Sequence, residues 1–179
     1  VLGMNDRNYS VIAKYNRRSL YTLVDDKVKT KRLANSININ TPKMIGIIEH
    51  QYQVRNLLEI VKGYDTFVIK PAHGSGGKGV SFKDVYQHIS NTLSGLFSLG
   101  GKYDVALIEE AVNFSDVFKD FSYHGVPDVR VIVYKGFPAM VMMRLATKES
   151  GGRANLHQGA VGVGLDVRTG LPLNAVMHN

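Results

Sequence analysis

Lys70 stands at the end of an apolar run, Thr66 to Ile69, and is followed at once by a glycine-rich segment in which Gly74, Gly76, Gly77 and Gly79 occupy four of six positions, with Ser75 and Lys78 between them. Glycines lack the Cβ atoms that keep an anion away from the backbone, so successive N–H groups can converge on phosphate oxygens while Lys70 supplies a point charge. A hairpin turn needs about one or two residues with positive φ, and this segment exceeds that requirement. A P-loop does not fit, because Gly79 is followed by Val80 and Ser81 rather than by Lys and then Ser or Thr. Gly74, Gly76 and Gly79 do match G-x-G-x-x-G, but a dinucleotide turn opens a helix, whereas the following VSFKD reads as a second short strand. The spacing therefore predicts a glycine-rich flap joining two antiparallel strands.

Three further groups of residues could do chemistry. VALIEE, residues 105 to 110, is an apolar run ending in Glu109 and Glu110. These two alternate in direction along a strand, so one can face a cleft and grip the sugar and base of a nucleotide; an ordinary polar strand end is the alternative. Asp128 and Arg130 fall on one face of a strand otherwise made of Val and Ile, as a structural ion pair or as ligand contacts. Arg144 precedes KESGGRANLHQGA, residues 148 to 160, a loop rich in hydrogen-bond donors that includes Arg153 and Asn155. Its His157 reads as a hydrogen-bonded loop histidine rather than a metal ligand or base.

The elements that must position these residues alternate between helix and strand. Asp25 and Asp26 can cap a helix running to about Asn35, with Lys27, Lys29, Lys31 and Arg32 after the cap. MIGII, residues 44 to 48, reads as a strand, and Val54, Leu57, Leu58 and Val61 recur at helical spacing. Asp84 can cap a helix carrying Val85, Ile89, Leu93, Leu96 and Phe97. VRVIVY and AMVMMRLA form a hairpin around Lys135-Gly136-Phe137-Pro138, and a last strand runs from about Val161 to Asp166. Three segments follow: residues 1–43 lead into the core, 44–112 form a first α+β lobe with the flap, and 113–179 begin a second.

A length of 179 residues and 44% hydrophobic content suffice for a buried core, and the absence of cysteine excludes disulfides and thiolate metal sites. No stretch approaches the ~18 apolar residues of a membrane span, and residues 1 to 10 lack a signal-peptide core, so a soluble cytoplasmic protein is expected. A net charge of +7 suits an anionic ligand. The basic run from Arg7 to Tyr21, with three tyrosines, reads as a solvated surface segment rather than a nucleic-acid surface.

In this order and spacing, DDKVKTK, FVIKPAHGSGGKGV, ALIEE, PDVRVIV and MMRLATKESGGRANLHQGAVGVG resemble the ATP-grasp fold. In particular they resemble the glutamate ligase-related proteins, akin to the ribosomal-protein glutamate ligase. The resemblance, which spans nearly the whole chain, implies ATP held between two α+β lobes, transfer of its γ-phosphoryl group to a carboxylate, and attack by an amine to give an amide. It implies that Lys27 and Lys70 hold the α- and β-phosphates, that the flap from Gly74 through Ser75, Gly76 and Gly77 to Gly79 covers them, and that Glu109, Glu110 and Ala111 meet the nucleotide at the strand end. Asp128 would take the ribose; Arg130 and Arg144 would neutralise the γ-phosphate and acylphosphate, with Arg153 and Asn155 completing the cradle. The expected substrates are glutamate or a similar amino acid and an amine or peptide acceptor, with ATP and Mg²⁺, or Mn²⁺. Such enzymes hold Mg²⁺ through an Asp and a Glu-x-Asn on successive strands. After Asp166 the chain has only VRTGLPLNAVMHN, so those ligands are expected beyond residue 179. A non-catalytic nucleotide-binding module is the alternative, and a NAD-binding domain a distant third.

Overall fold

A computed structural model describes residues 3–74, 84–98, 100–113 and 115–177. The second strand expected at VSF, and Ser75, Gly76, Gly77 and Gly79 with it, lie outside the described residues. The chain divides into two compact units, Val1–Ala111 and Val112–Asn179.

The first unit is built on a three-stranded antiparallel sheet, β1 (Met44–Ile48), β2 (Phe67–Pro71) and β3 (Ala106–Glu110), in the order β1-β3-β2. Its helical segments are α1 (Met4–Asp6), α2 (Thr22–Asp25), α3 (Lys27–Ser36), α4 (Leu57–Ile60) and α5 (Val85–Leu93). Alternation along the strands sorts side chains onto two faces. Ile48, Ile69, Ala106 and Ile108 pack with Val54, Leu57 and Val61 and with Val85, Ile89 and Leu93 of α5 in one cluster. Ala72 and Leu107 pack with Val28 of α3 in a second. Central β3 is accordingly apolar on both faces, as a strand covered by helices must be.

Asp26 alone caps α3, its Oδ1 accepting from Val28 N (3.0 Å) and Lys29 N (3.1 Å). The helix predicted around residues 54 to 61 is a 3₁₀ turn, Gln51–Asn56, running into the single turn of α4. The tighter turn buries Val54, Leu57 and Val61 and leaves Leu58 exposed, against the helical spacing read from sequence. Asp84 occupies the N-cap position of α5, which ends sooner than expected. Gly95 turns at φ +83°, where a Cβ would stand 2.2 Å from the Lys102 carbonyl oxygen, and Leu96 is left exposed. Among the described residues no helix is long and apolar enough to cross a membrane.

The second unit is built on antiparallel strands. Its described residues form a four-stranded antiparallel sheet, β4 (Asp128–Tyr134), β5 (Phe137–Leu145), β6 (Val161–Leu165) and β7 (Pro172–Met177), with 3₁₀ turns but no α-helix. β4 and β5 are joined by Lys135 and Gly136, both at positive φ, as a tight hairpin requires. β4 is an edge strand rather than an internal one, so its charges cost less than the sequence reading assumed. β7 was not predicted at all. It opens on Pro172 and lies at the other edge, the place in a sheet where proline is tolerated.

The core of the first unit supports a direct test. Ile89 is fully buried between α5 and the sheet, so Ile89→Ala should destabilise this unit by about 2–5 kcal/mol, read as a fall in the urea midpoint monitored by circular dichroism.

Candidate functional site

In the first unit the candidate site is the face of the sheet covered by α3. Strand register places Lys70 opposite Leu107 and Val68 opposite Glu109, so Lys70 and Glu109 are diagonal neighbours on that face. Glu109 is only 3% exposed. Lys31 Nζ lies 3.0 Å from its Oε2, and Lys70 Nζ pairs with its Oε1. A buried carboxylate is tolerated only when its charge is matched, and here it is matched from two elements. Lys31 also donates to the Pro42 carbonyl and is itself buried, whereas the Lys70 side chain is 39% exposed. Lys70 can therefore turn toward an anion while Lys31 still neutralises Glu109. Sequence reasoning missed Lys31, although its spacing of four from Lys27 places both on one face of α3.

Lys27, one turn earlier, reaches the start of the glycine-rich segment: its Nζ donates to the carbonyls of Gly74 (2.5 Å) and Ala72 (3.3 Å). Its backbone N–H also donates to Ala72 O at 3.0 Å, tying the helix start to the end of β2. Burial pushes the Lys27 ammonium below its ordinary pKa, opposed most by the charge of Asp104. Gly74 forms a bridge with Ser98, and a Cβ there would lie 2.3 Å from Phe97 O and 2.6 Å from Pro71 Cγ. The first glycine of the segment is thus required by close packing at its root.

His73, Asp104 and Ser98 complete this region and were not singled out in the sequence. The buried Asp104 carboxylate accepts from Ser98 Oγ (2.7 Å), Val105 N (2.7 Å) and His73 N (3.0 Å), and lies 2.8 Å from His73 Nδ1. His73 Nε2 is 3.6 Å from Asp26 Oδ2. Glu110 is exposed at the end of β3, and Ala111 follows it, half-buried. Glu110 N donates to Lys43 O at 2.9 Å.

In the second unit Asp128 faces Arg144 across the β4–β5 ladder, not Arg130. Arg144 Nε donates to Asp128 Oδ1 at 2.6 Å and its Nη2 to Oδ2, a bidentate pair. The Arg144 bond, helped by the charge of Arg130, holds the Asp128 carboxyl below its usual pKa despite partial burial. Arg130 lines a cleft of about 510 Å³ with Ile132, Met140, Met142 and Val176. Arg153 is exposed, and Asn155 opens the 3₁₀ turn Leu156–Gln158. The loop before that turn is held by Thr147 and Ser150: Thr147 Oγ1 donates to Gly159 O (2.7 Å), and Ser150 Oγ accepts from Thr147 N (2.9 Å). His157 is exposed in the middle of the turn.

Among the described residues no group of three His, Asp or Glu side chains is placed to hold a metal ion. Asp166, the last acidic residue in the chain, is committed to the turn after β6, its Oδ1 accepting from Arg168 N (3.0 Å), Thr169 N (2.8 Å) and Thr169 Oγ1 (2.9 Å).

The first unit thus brings a strand-borne and a helix-borne lysine to the root of a glycine-rich segment, and a four-stranded antiparallel unit follows it in the chain. A family model described as sugar-transfer associated ATP-grasp matches residues 6–179, and the chain belongs to that family. No curated protein and no solved structure matches it. ATP-grasp proteins are in general ATP-dependent ligases that use divalent metal, and ATP binding with ligase-type chemistry is the class of activity this membership supports.

The Asp128–Arg144 pair carries a pH prediction. A carboxyl with a depressed folded pKa adds stability above its unfolded value, near 3.9, and loses it as pH falls through the folded value. Since the Asp128 side chain is 44% exposed, solvent screens the pair to no more than about 1 kcal/mol. Asp128→Asn should therefore be slightly less stable than wild type at neutral pH, with the difference shrinking as pH falls below the ordinary carboxyl range and the wild-type carboxylate takes up its proton, as read by thermal melts across pH.

Proposed function

We propose that this protein is an ATP-dependent carboxylate–amine ligase that adds glutamate or a similar amino acid to an amine or peptide acceptor. The observation that carries the nucleotide part is the placement of Lys27 and Lys70 at the root of the glycine-rich segment, with Glu109 neutralised by Lys31 so that Lys70 is available to phosphate. The γ-phosphoryl group passes from ATP to a substrate carboxylate, giving an acylphosphate and ADP. The amine then attacks the acyl carbon, loses its proton, and expels inorganic phosphate. Lys27 and Lys70 hold and neutralise the phosphate oxygens on which charge builds, and in the second unit Arg130 offers a further cation beside an apolar cleft. Asp128 and Arg144, bonded to each other, shape that charged face. Resemblance alone supports glutamate; the family description associates these proteins with sugar transfer.

A nucleotide-binding module without turnover is the second reading. Commitment of Asp104, Glu109, Asp128 and Asp166 to protein partners favours it, since each is thereby withdrawn from metal binding.

Titration calorimetry should show ATP binding more tightly than NAD, because a strand-borne lysine suits a triphosphate rather than a pyrophosphate on a helix N-terminus. Lys70→Ala should weaken ATP by about 1–3 kcal/mol and AMP far less. Tighter NAD binding, or an unchanged ATP affinity in Lys70→Ala, would remove the basis of the proposal. ADP release that depends on glutamate and a peptide acceptor would separate ligase from binding module.

A further inference from the structure

The strongest unassigned cluster is the carboxylate–imidazole network behind Lys27. Asp104 is 5% exposed, and four donors or ring atoms converge on it from three places in the chain: the residue before β3, the segment after β2, and the turn after α5. Two of these contacts come from His73, which directly precedes Gly74, and a third comes from Ser98, the bridge partner of Gly74. Lys27 Nζ in turn rests on the carbonyls of Ala72 and Gly74, on either side of His73. One buried charge therefore fixes the point at which the glycine-rich segment leaves β2 and faces the lysine bound there.

We propose that Asp104 is a positioning residue of the phosphate-binding unit, acting through His73 and Lys27 and never touching the nucleotide. This rests on the reading of Lys27 as a phosphate ligand. Its contact set alone would suit a purely structural peg; its charge does more. Burial disfavours the Asp104 charge, yet the hydrogen bonds from Ser98, His73 and Val105 outweigh it and hold the carboxyl below its ordinary pKa. That retained charge is the largest of the influences opposing the burial of Lys27. The other charged or titratable groups around Lys27 are Lys70, which acts with burial, Asp26 and Glu109, which act against it, and His73, which bridges Asp26 and Asp104. Removing the Asp104 charge must therefore lower the Lys27 pKa further, so that the amine loses its proton at a lower pH.

Competitive labelling of the chain with acetic anhydride across pH, resolved by peptide mass spectrometry, reads Lys27 ionisation without any nucleotide. In Asp104→Asn the Lys27 midpoint should fall below that of wild type. In Ser98→Ala, which removes one hydrogen bond from the same carboxylate and keeps its charge, the melting temperature should fall while the Lys27 midpoint stays near wild type. An unmoved midpoint in a folded Asp104→Asn overturns the inference, and so does an equal shift in Ser98→Ala. His73→Ala, at an exposed position, covers the case in which Asp104→Asn does not fold. It should cost about tenfold in ATP affinity with AMP little changed, as expected for loss of a positioned charge-assisted contact; an unchanged ATP affinity overturns the inference. If wild type binds no ATP, the functional reading falls while the labelling result still decides the role of Asp104.

Discussion

The first unit depends on one buried carboxylate. Glu109 lies on the central strand with almost no exposure, and an ionised group in that position is tolerable only with close cationic partners. Lys70 comes from the neighbouring strand, and Lys31 must come from a helix laid across the same face. That requirement sets the position of α3 along the sheet as well as its presence. With Lys31 held at Glu109 and Asp26 closing the helix one turn further back, Lys27 is carried to the carbonyls at the end of β2. The apolar contacts of Val28 with Ala72 and Leu107 stabilise this arrangement without specifying it, since dispersion and burial tolerate small slides that a paired charge does not.

This division of labour separates the lysines by function. Lys31 is buried and paired, so it is structural in the sense that its charge is already matched. Lys70 is the more exposed partner of the same carboxylate, and among the described residues Lys27 Nζ hydrogen-bonds to carbonyl oxygens and is in no ion pair, its charge countered most by that of nearby Asp104. An incoming polyanion would thus meet two cations whose release from protein partners leaves no buried charge unmatched. A site with one lysine on Glu109 could not offer this, because moving that lysine would strand the carboxylate.

Most of the first unit was legible in the sequence. The Asp26 cap, β1 and the end of β3 follow from capping chemistry and apolar patterning, whereas the Lys70–Glu109 pair, set by the register of β2 against β3, was not read from the sequence. What was hidden is what depends on tertiary pairing. Lys31 looked like one of several lysines on a solvated helix face, and His73, Ser98 and Asp104 lie up to 31 residues apart in sequence, without periodicity to link them. Leu58 and Leu96 were read as core because helical spacing assumes a continuous helix; a 3₁₀ entry and a glycine stop broke that assumption. In the second unit β7 escaped notice because an edge strand beginning with proline, holding an asparagine and exposed throughout, carries none of the apolar alternation by which strands are recognised.

The second unit shows how pairing redistributes roles that spacing alone assigns. Asp128 and Arg130 share a strand face at period two, which made an intrastrand pair the natural structural reading. The antiparallel ladder instead sets Asp128 directly opposite Arg144, where guanidinium and carboxylate can align in plane and form two bonds. An i, i+2 pair on one strand has no comparable planar approach, so the cross-strand partner wins. Its consequence is asymmetric: Arg144 is spent on Asp128, while Arg130 borders an apolar cleft floored by Ile132, Met140 and Met142.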